Sequence, residues 1–195
     1  MAKQETKGEA RQRMIVNLAR QALVEAGYDR FSLREIASQA GMRLGNLQYY
    51  FPTKEALIEA VVRQEFDDNL GTLSQIAGQD IQADEALRRV ALALVSHWLA
   101  DGAKIYAVMS FLALHEMRFR ALRDEIYTSF YAALLPFVKA VQPGLSGAQQ
   151  KRRVRVITSL LDGALLQGEE AVRADGRASI FMQDISAAVL AVART

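Results

Sequence analysis

Residues 43–50, "RLGNLQYY", place a guanidinium, two side-chain amides and two phenols inside eight positions, and Lys54 follows four residues later. No nucleophile sits beside a base here, and no metal-ligand set is present. What the side chains share is hydrogen-bonding capacity toward a flat or anionic partner. Asn46 and Gln48 each carry a donor and an acceptor side by side, the pattern that pairs with the adenine edge in the DNA major groove. Arg43 suits a phosphate or a guanine, and Leu44 a thymine methyl group. The hydroxyls of Tyr49 and Tyr50 and the ammonium of Lys54 suit phosphate oxygens. Gly45 lies in a helix-periodic stretch, where it costs about 1 kcal/mol relative to alanine. That cost is explicable if the backbone must approach another surface closely.

These residues need a scaffold. Leu47 and Phe51, four apart, can pin one side of a short helix to a core. Upstream, "SLRE" at 32–35 has the form of a capping box, with the Ser32 hydroxyl accepting from the Glu35 amide, and it opens a short helix to about residue 40. Gly41 supplies the turn between the two. A longer helix over about 8–26 precedes them, with Ile15, Leu18, Ala19, Ala22, Leu23 and Ala26 on one face and Gly27 as its left-handed cap. Pro52 breaks the chain, and Thr53 is placed as N-cap of a fourth helix carrying Leu57, Ile58, Val61, Val62, Phe66 and Leu70. Two short helices about a glycine turn make a helix-turn-helix, whose second helix enters the major groove with its N-terminal residues toward the bases.

The segment "FSLREIASQAGMRLGNLQYYFPTKEALIEAV", residues 31–61, resembles the DNA-binding domain of the TetR family of transcriptional repressors. Ser32, Ile36, Ala37, Ala40, Gly41, Gly45, Leu47, Tyr50, Phe51, Lys54 and Glu55 carry the resemblance, which covers about 45 residues. It implies that Arg34, Leu44, Gly45, Asn46 and Gln48 read bases and that Ser32, Tyr50 and Lys54 hold phosphates. It also implies a ligand-binding, dimer-forming helical domain after the helix-turn-helix. Two positions depart from the family pattern: Arg43 replaces a hydroxyl N-cap, and Gln48 stands where tyrosine is common. Lys3, Lys7, Arg11 and Arg13 could form an arm along the DNA backbone or minor groove, or a solvated tail.

The rest of the chain is helix-periodic, with helices near 81–100, 104–117 and 121–141, a kink at Pro136, a second capping box at Ser146 and Gln149 opening a helix to about 174, a turn over 173–177, and a last helix over 179–193. Trp98, Tyr106, His115 and Tyr127 join apolar bodies to polar tips that a buried site must satisfy. They are the candidate ligand-binding residues, with plain core packing as the alternative. "HEMRF" at 115–119 starts like a zinc-protease motif but has phenylalanine where the second histidine belongs. Asp162 fits a paired polar group where helices cross at Gly163, with a catalytic carboxylate in a cavity as the alternative. Over 154–168, one face carries Val154, Ile157, Leu161 and Leu165, and a second carries Val156, Leu160, Gly163 and Gln167. With Ile185 and Val189 of the last helix, Leu160, Gly163 and Gln167 are candidates for a dimer interface, because a helix apolar over a wide arc is buried on two sides.

The totals fit this reading. Of 195 residues, 51% are hydrophobic and 24% charged, ordinary for a globular chain. With no cysteine there is neither a disulfide framework nor a thiolate metal site, which fits a reducing cytoplasm. The N-terminus lacks the apolar stretch of a signal peptide, and no apolar run approaches a bilayer span. The net charge is +2, but residues 1–63 hold ten basic and seven acidic side chains, so the excess gathers where the helix-turn-helix lies. No phosphate loop, dinucleotide glycine pattern or catalytic triad order is found, so neither a cofactor nor an enzyme is expected.

The expected fold is all-α: a three-helix DNA-binding domain over 1–54, the fourth helix over 54–77 as connector, and a larger ligand-binding and dimerisation bundle over 78–195. The expected function is a homodimeric regulator that binds a palindromic operator in double-stranded DNA and is released by a small-molecule effector, with no membrane partner. The alternative is a helical small-molecule-binding protein without a DNA role.

Overall fold

The computed structural model describes residues 6–175 and 178–195, and among them every regular element is helical. The order is α1 (Lys7–Arg30), α2 (Leu33–Gln39), α3 (Leu44–Tyr50), α4 (Lys54–Ala77), α5 (Ala83–His97), a π-helical turn (Trp98–Gly102), α6 (Ala103–His115), α7 (Met117–Val141), α8 (Gly147–Asp175) and α9 (Ala178–Arg194). Two compact units result. The first comprises Met1–Glu65 with Lys104–Leu122, and the second comprises Phe66–Ala103 with Arg123–Thr195.

In the first unit, α2 packs against both α1 and α3. The core holds Ile15, Ala19 and Leu23 of α1, Phe31 after it, Ile36 and Ala37 of α2, Leu47 of α3, and Leu57, Ile58, Val61 and Val62 of α4. Of the apolar stripes read from the sequence, these α1 and α4 residues are buried, Leu18, Ala22, Phe66 and Leu70 are half-buried, and Ala26 is exposed. Gly27 has φ +76, as a left-handed position requires, but the chain resumes helix and runs on to Arg30. At the other end, Thr6 and Glu9 form a capping box that apolar periodicity alone does not mark. Lys7, Arg11 and Arg13 are consequently helical residues of α1 and not a free arm, while Lys3 lies outside the described residues.

Capping explains two further starts. The Thr53 hydroxyl accepts from the Ala56 amide at 3.1 Å at the head of α4. Ser146 and Gln149 make the predicted reciprocal box before α8, with the Ser146 amide 2.9 Å from the Gln149 side-chain oxygen. The box predicted at 32–35 does not form: Ser32 holds the N-cap position, but its hydroxyl makes no capping bond.

In the second unit, α5 lies against α8 and α9, and α8 against α9. Leu87, Val90 and Leu94 of α5 meet a core with Leu134 and Val138 of α7 and Val154, Ile157, Leu161 and Leu165 of α8. The turn expected between α5 and α6 is a π-helical segment, so the chain stays helical from Ala83 to His115. The close helix approach expected at Gly163 occurs instead at Gly168, where a Cβ would stand 2.8 Å from Leu99 and 3.0 Å from Phe181. A Cβ at Gly163 would meet nothing within 4 Å. α7 is helical through Pro136. Of the turn expected at 173–177, Gly176 and Arg177 lie outside the described residues.

Candidate DNA-binding surface

The α2–α3 corner is closed by backbone hydrogen bonds. The Gly41 amide donates to the Ser38 carbonyl at 3.1 Å, and the Met42 amide to the Ala37 carbonyl at 2.9 Å. Gly41 has φ +62, a conformation that a side chain with a Cβ disfavours. The Arg43 carbonyl then accepts from the amides of both Asn46 and Leu47, which starts α3 without a side-chain cap. The first amides of such a helix have no intrahelical acceptor, and they carry the positive end of its dipole.

One side of α3 is fixed and the other is open. Leu47 is fully buried and Phe51 nearly so, which anchors the helix on the core. Arg43, Gly45, Asn46, Gln48 and Tyr49 are exposed, Leu44 and Tyr50 are half-buried, and Arg34 of α2 is exposed. Tyr49 is 84% exposed, and its only described ring neighbour is Tyr50, edge-on at 5.3 Å. Gly45 is the informative position. Its φ is ordinary for helix, and a Cβ there would meet nothing within 4 Å. The chain's own packing thus gives no reason for glycine at 45.

Lys54 is less free than its sequence position suggests. Its ammonium donates to the Tyr28 carbonyl at 2.6 Å and sits 3.9 Å from the centre of the Tyr28 ring. It therefore locks the start of α4 to the end of α1, with two N–H groups left for another acceptor. Burial, followed by the negative charges of Glu116, Glu55 and Asp29, holds the Tyr28 phenol above its ordinary range. Ser32 is half-buried at the head of α2 with its hydroxyl not used in capping.

Residues 15–61 match the family model described as bacterial regulatory proteins, tetR family. Over that span the chain is similar to the DNA-binding region of the TetR family. Its sequence is 32% identical over 97 residues to an HTH-type transcriptional regulator from the dhlA 5′ region of Xanthobacter autotrophicus, covering 48% of this chain and 47% of the relative. It is 41% identical over 58 residues to the HTH-type transcriptional regulator RutR of Escherichia coli strain K12, covering 30% of this chain and 27% of RutR. The chain thus spans about half of the first relative and about a quarter of the second. Among solved structures, Salmonella enterica GusR superposes with a TM-score of 0.77 at 18% identity, covering 97% of this chain and 98% of that one. A TetR transcriptional regulator from Legionella pneumophila gives 0.72 at 20% identity, covering 97% of both. At these identities the structural matches show the fold alone, and the family model is confined to the segment that holds α2 and α3.

The other candidate residues separate. Trp98 and Tyr127 belong to the second unit, Tyr106 and His115 to the first. Trp98 is buried in the π-helical turn, and the Tyr127 hydroxyl donates to an Asp162 carboxylate oxygen at 2.7 Å, so Asp162 is a paired polar group. His115 is exposed, with its ring 5.0 Å from that of Phe111. Leu160 and Gly163 are half-buried and Gln167 is exposed, and on the same face of α8 Val156 and Leu166 stand 49% and 63% exposed. Val189 is a correction. It is 1% exposed within the single chain and packs in its core, with Ile185 half-buried beside it, so the outward side of α9 carries Ile180, Asp184, Ala187 and Ala191 instead. Periodicity alone does not tell a partner-facing residue of α9 from a core one. Among the described residues, no group of three or more histidine, aspartate or glutamate side chains could hold a metal ion, and no helix is long and apolar enough to cross a membrane.

Proposed function

We propose that this chain is a DNA-binding transcriptional regulator of the bacterial cytoplasm. It acts as a homodimeric repressor on a palindromic operator and leaves that operator when a small molecule binds its second unit. The observation that carries the reading is the two-sidedness of α3: Leu47 wholly buried, and a rim of Arg43, Gly45, Asn46, Gln48 and Tyr49 open to solvent around uncapped amides. Asn46 and Gln48 read base edges, Arg34 and Arg43 take guanine or phosphate, and Leu44 meets a thymine methyl. Ser32, Tyr49, Tyr50 and the remaining donors of Lys54 hold phosphates and set the register. The buried Trp98 and the Tyr127–Asp162 pair are polar groups inside a helical bundle, a common setting for a ligand, and they support the effector role of the second unit.

The experiment is selection of bound fragments from random duplex DNA by the purified chain, followed by affinity measurement across salt concentrations. An enriched palindrome is expected, with log affinity falling steeply against log salt as phosphate counterions are released. Recovery of no enriched sequence, with only weak uniform binding, favours a helical small-molecule-binding protein without a regulatory DNA role.

A further inference from the structure

A cleft of about 420 Å³ opens between α7 and α8, within the second unit, and none of the four candidate effector residues lines it. Its apolar wall is Ala132 and Leu135 of α7 with the buried Val154 of α8. Its charged rim is Lys151 and Arg155, one helical turn apart on α8. Among the described residues, no hydrogen bond or ion pair engages either cationic head. Like charges at this spacing on a helix repel each other, a cost that an anion between them removes.

Asp124 of α7 is paired with Arg123 at 3.0 Å. The hydroxyl of Thr128, on the cleft lining, donates to the Asp124 carbonyl and keeps its lone pairs as acceptors. Tyr131 adds a ring to the wall and a phenol that no described group engages. The cleft therefore combines an apolar trough, two uncompensated cations and a spare phenolic donor, at a volume ordinary for a small-molecule site.

We propose that this cleft binds an amphipathic organic anion: a carboxylate held by Arg155, Lys151 and the Tyr131 hydroxyl, with an aliphatic or aromatic body along Ala132, Leu135 and Val154. The carboxylate suits the guanidinium, which grips it through two parallel N–H donors. A bare inorganic anion leaves the apolar wall wet, and a neutral hydrocarbon leaves the cations unpaired. The proposal does not rest on the DNA-binding reading, since neither α3 nor an operator enters it.

The test is calorimetric titration of the full chain, without DNA, using octanoate, with n-octanol and inorganic phosphate as parallel probes. Octanoate is expected to bind saturably, and n-octanol and phosphate each about tenfold or more weaker, because each lacks one half of the recognition. Arg155→Gln and Lys151→Gln, at exposed positions, should each weaken octanoate by about tenfold while the circular dichroism spectrum stays unchanged. Ala132→Trp, which fills the trough, should abolish binding. Absence of saturable octanoate binding, phosphate binding as tightly as octanoate, or octanoate affinity that survives all three substitutions would each overturn the assignment. So would a change of oligomeric state in the three variants, which would make the cleft a contact between copies.

Discussion

At Gly45 a single hydrogen atom separates two demands. Helix stability favours alanine by about 1 kcal/mol, and nothing in the chain lies within 4 Å of the missing methyl. Gly45→Ala is therefore expected to raise the thermal midpoint, because it adds helix propensity without a clash. If DNA backbone or bases occupy that space, the same substitution lowers operator affinity. A Gly45→Ala variant that is both more stable and equal in operator binding removes Gly45 from the contact surface. Asn46 tests the neighbouring position in a different way. It is exposed and no hydrogen bond anchors its side chain, so Asn46→Ala should leave stability within about 0.5 kcal/mol. Specific binding should weaken by about 1–3 kcal/mol while random-sequence binding holds. Equal losses on operator and random DNA would make Asn46 a backbone contact and not a base reader.

Helix starts show how far local sequence reaches. The second-unit box at Ser146 and Gln149 was legible and forms, as does the Thr53 cap. The spacing at Ser32 and Glu35 is equally good, yet the cap is not made. A motif gives the option of a hydrogen bond, and the side-chain rotamers decide whether it is taken. Ser32→Ala should therefore cost little stability, whereas Thr53→Ala should cost about 1 kcal/mol, the usual loss for a working cap. If Ser32 holds a phosphate, its alanine variant loses affinity for all DNA alike. Denaturant melts of the two variants make the comparison, and equal destabilisation contradicts it. The Thr6–Glu9 box adds a pH signature. Hydrogen bonds from the Thr6 backbone, then from its side chain, lower the Glu9 pKa below the ordinary 4.5. A depressed carboxyl stabilises its cap above the ordinary value and releases it as pH falls through the lowered one. The protection factor of the Ala10 amide, its exchange relative to the intrinsic rate at each pH, should thus fall only in acid below the ordinary glutamate range, and Thr6→Ala should abolish that dependence. The apolar stripes of α1, α4 and α8 were legible because period and burial coincide. The π-helical join at 98–102 was not, since its widened turn answers to packing across the bundle and leaves no local mark.

At the scale of the whole molecule, a single short helix reads little sequence. Seven residues of α3 span only a few base pairs, so useful specificity requires a second copy about 34 Å away on the next major-groove face. A two-fold pair needs one self-complementary patch. The outward face of α8 offers Val156, Leu160, Gly163 and Gln167, spaced one turn apart, with Leu166 at its edge; Val156 and Leu166 are exposed and Leu160 half-buried. The glycine in the middle is not required by the chain's own packing, which suits a helix that another helix approaches closely. Val189, by contrast, is core: Val189→Arg should unfold the second unit by burying an unpaired charge. The discriminating variant is therefore Leu160→Arg with Leu166→Arg, one half-buried and one exposed in the single chain and neither in its core. Light scattering should find a helical monomer where the parent is a dimer, and operator affinity should collapse although residues 32–54 are untouched. A variant that stays dimeric moves the interface off this face of α8, and a monomer with parental operator affinity removes the need for two-fold assembly.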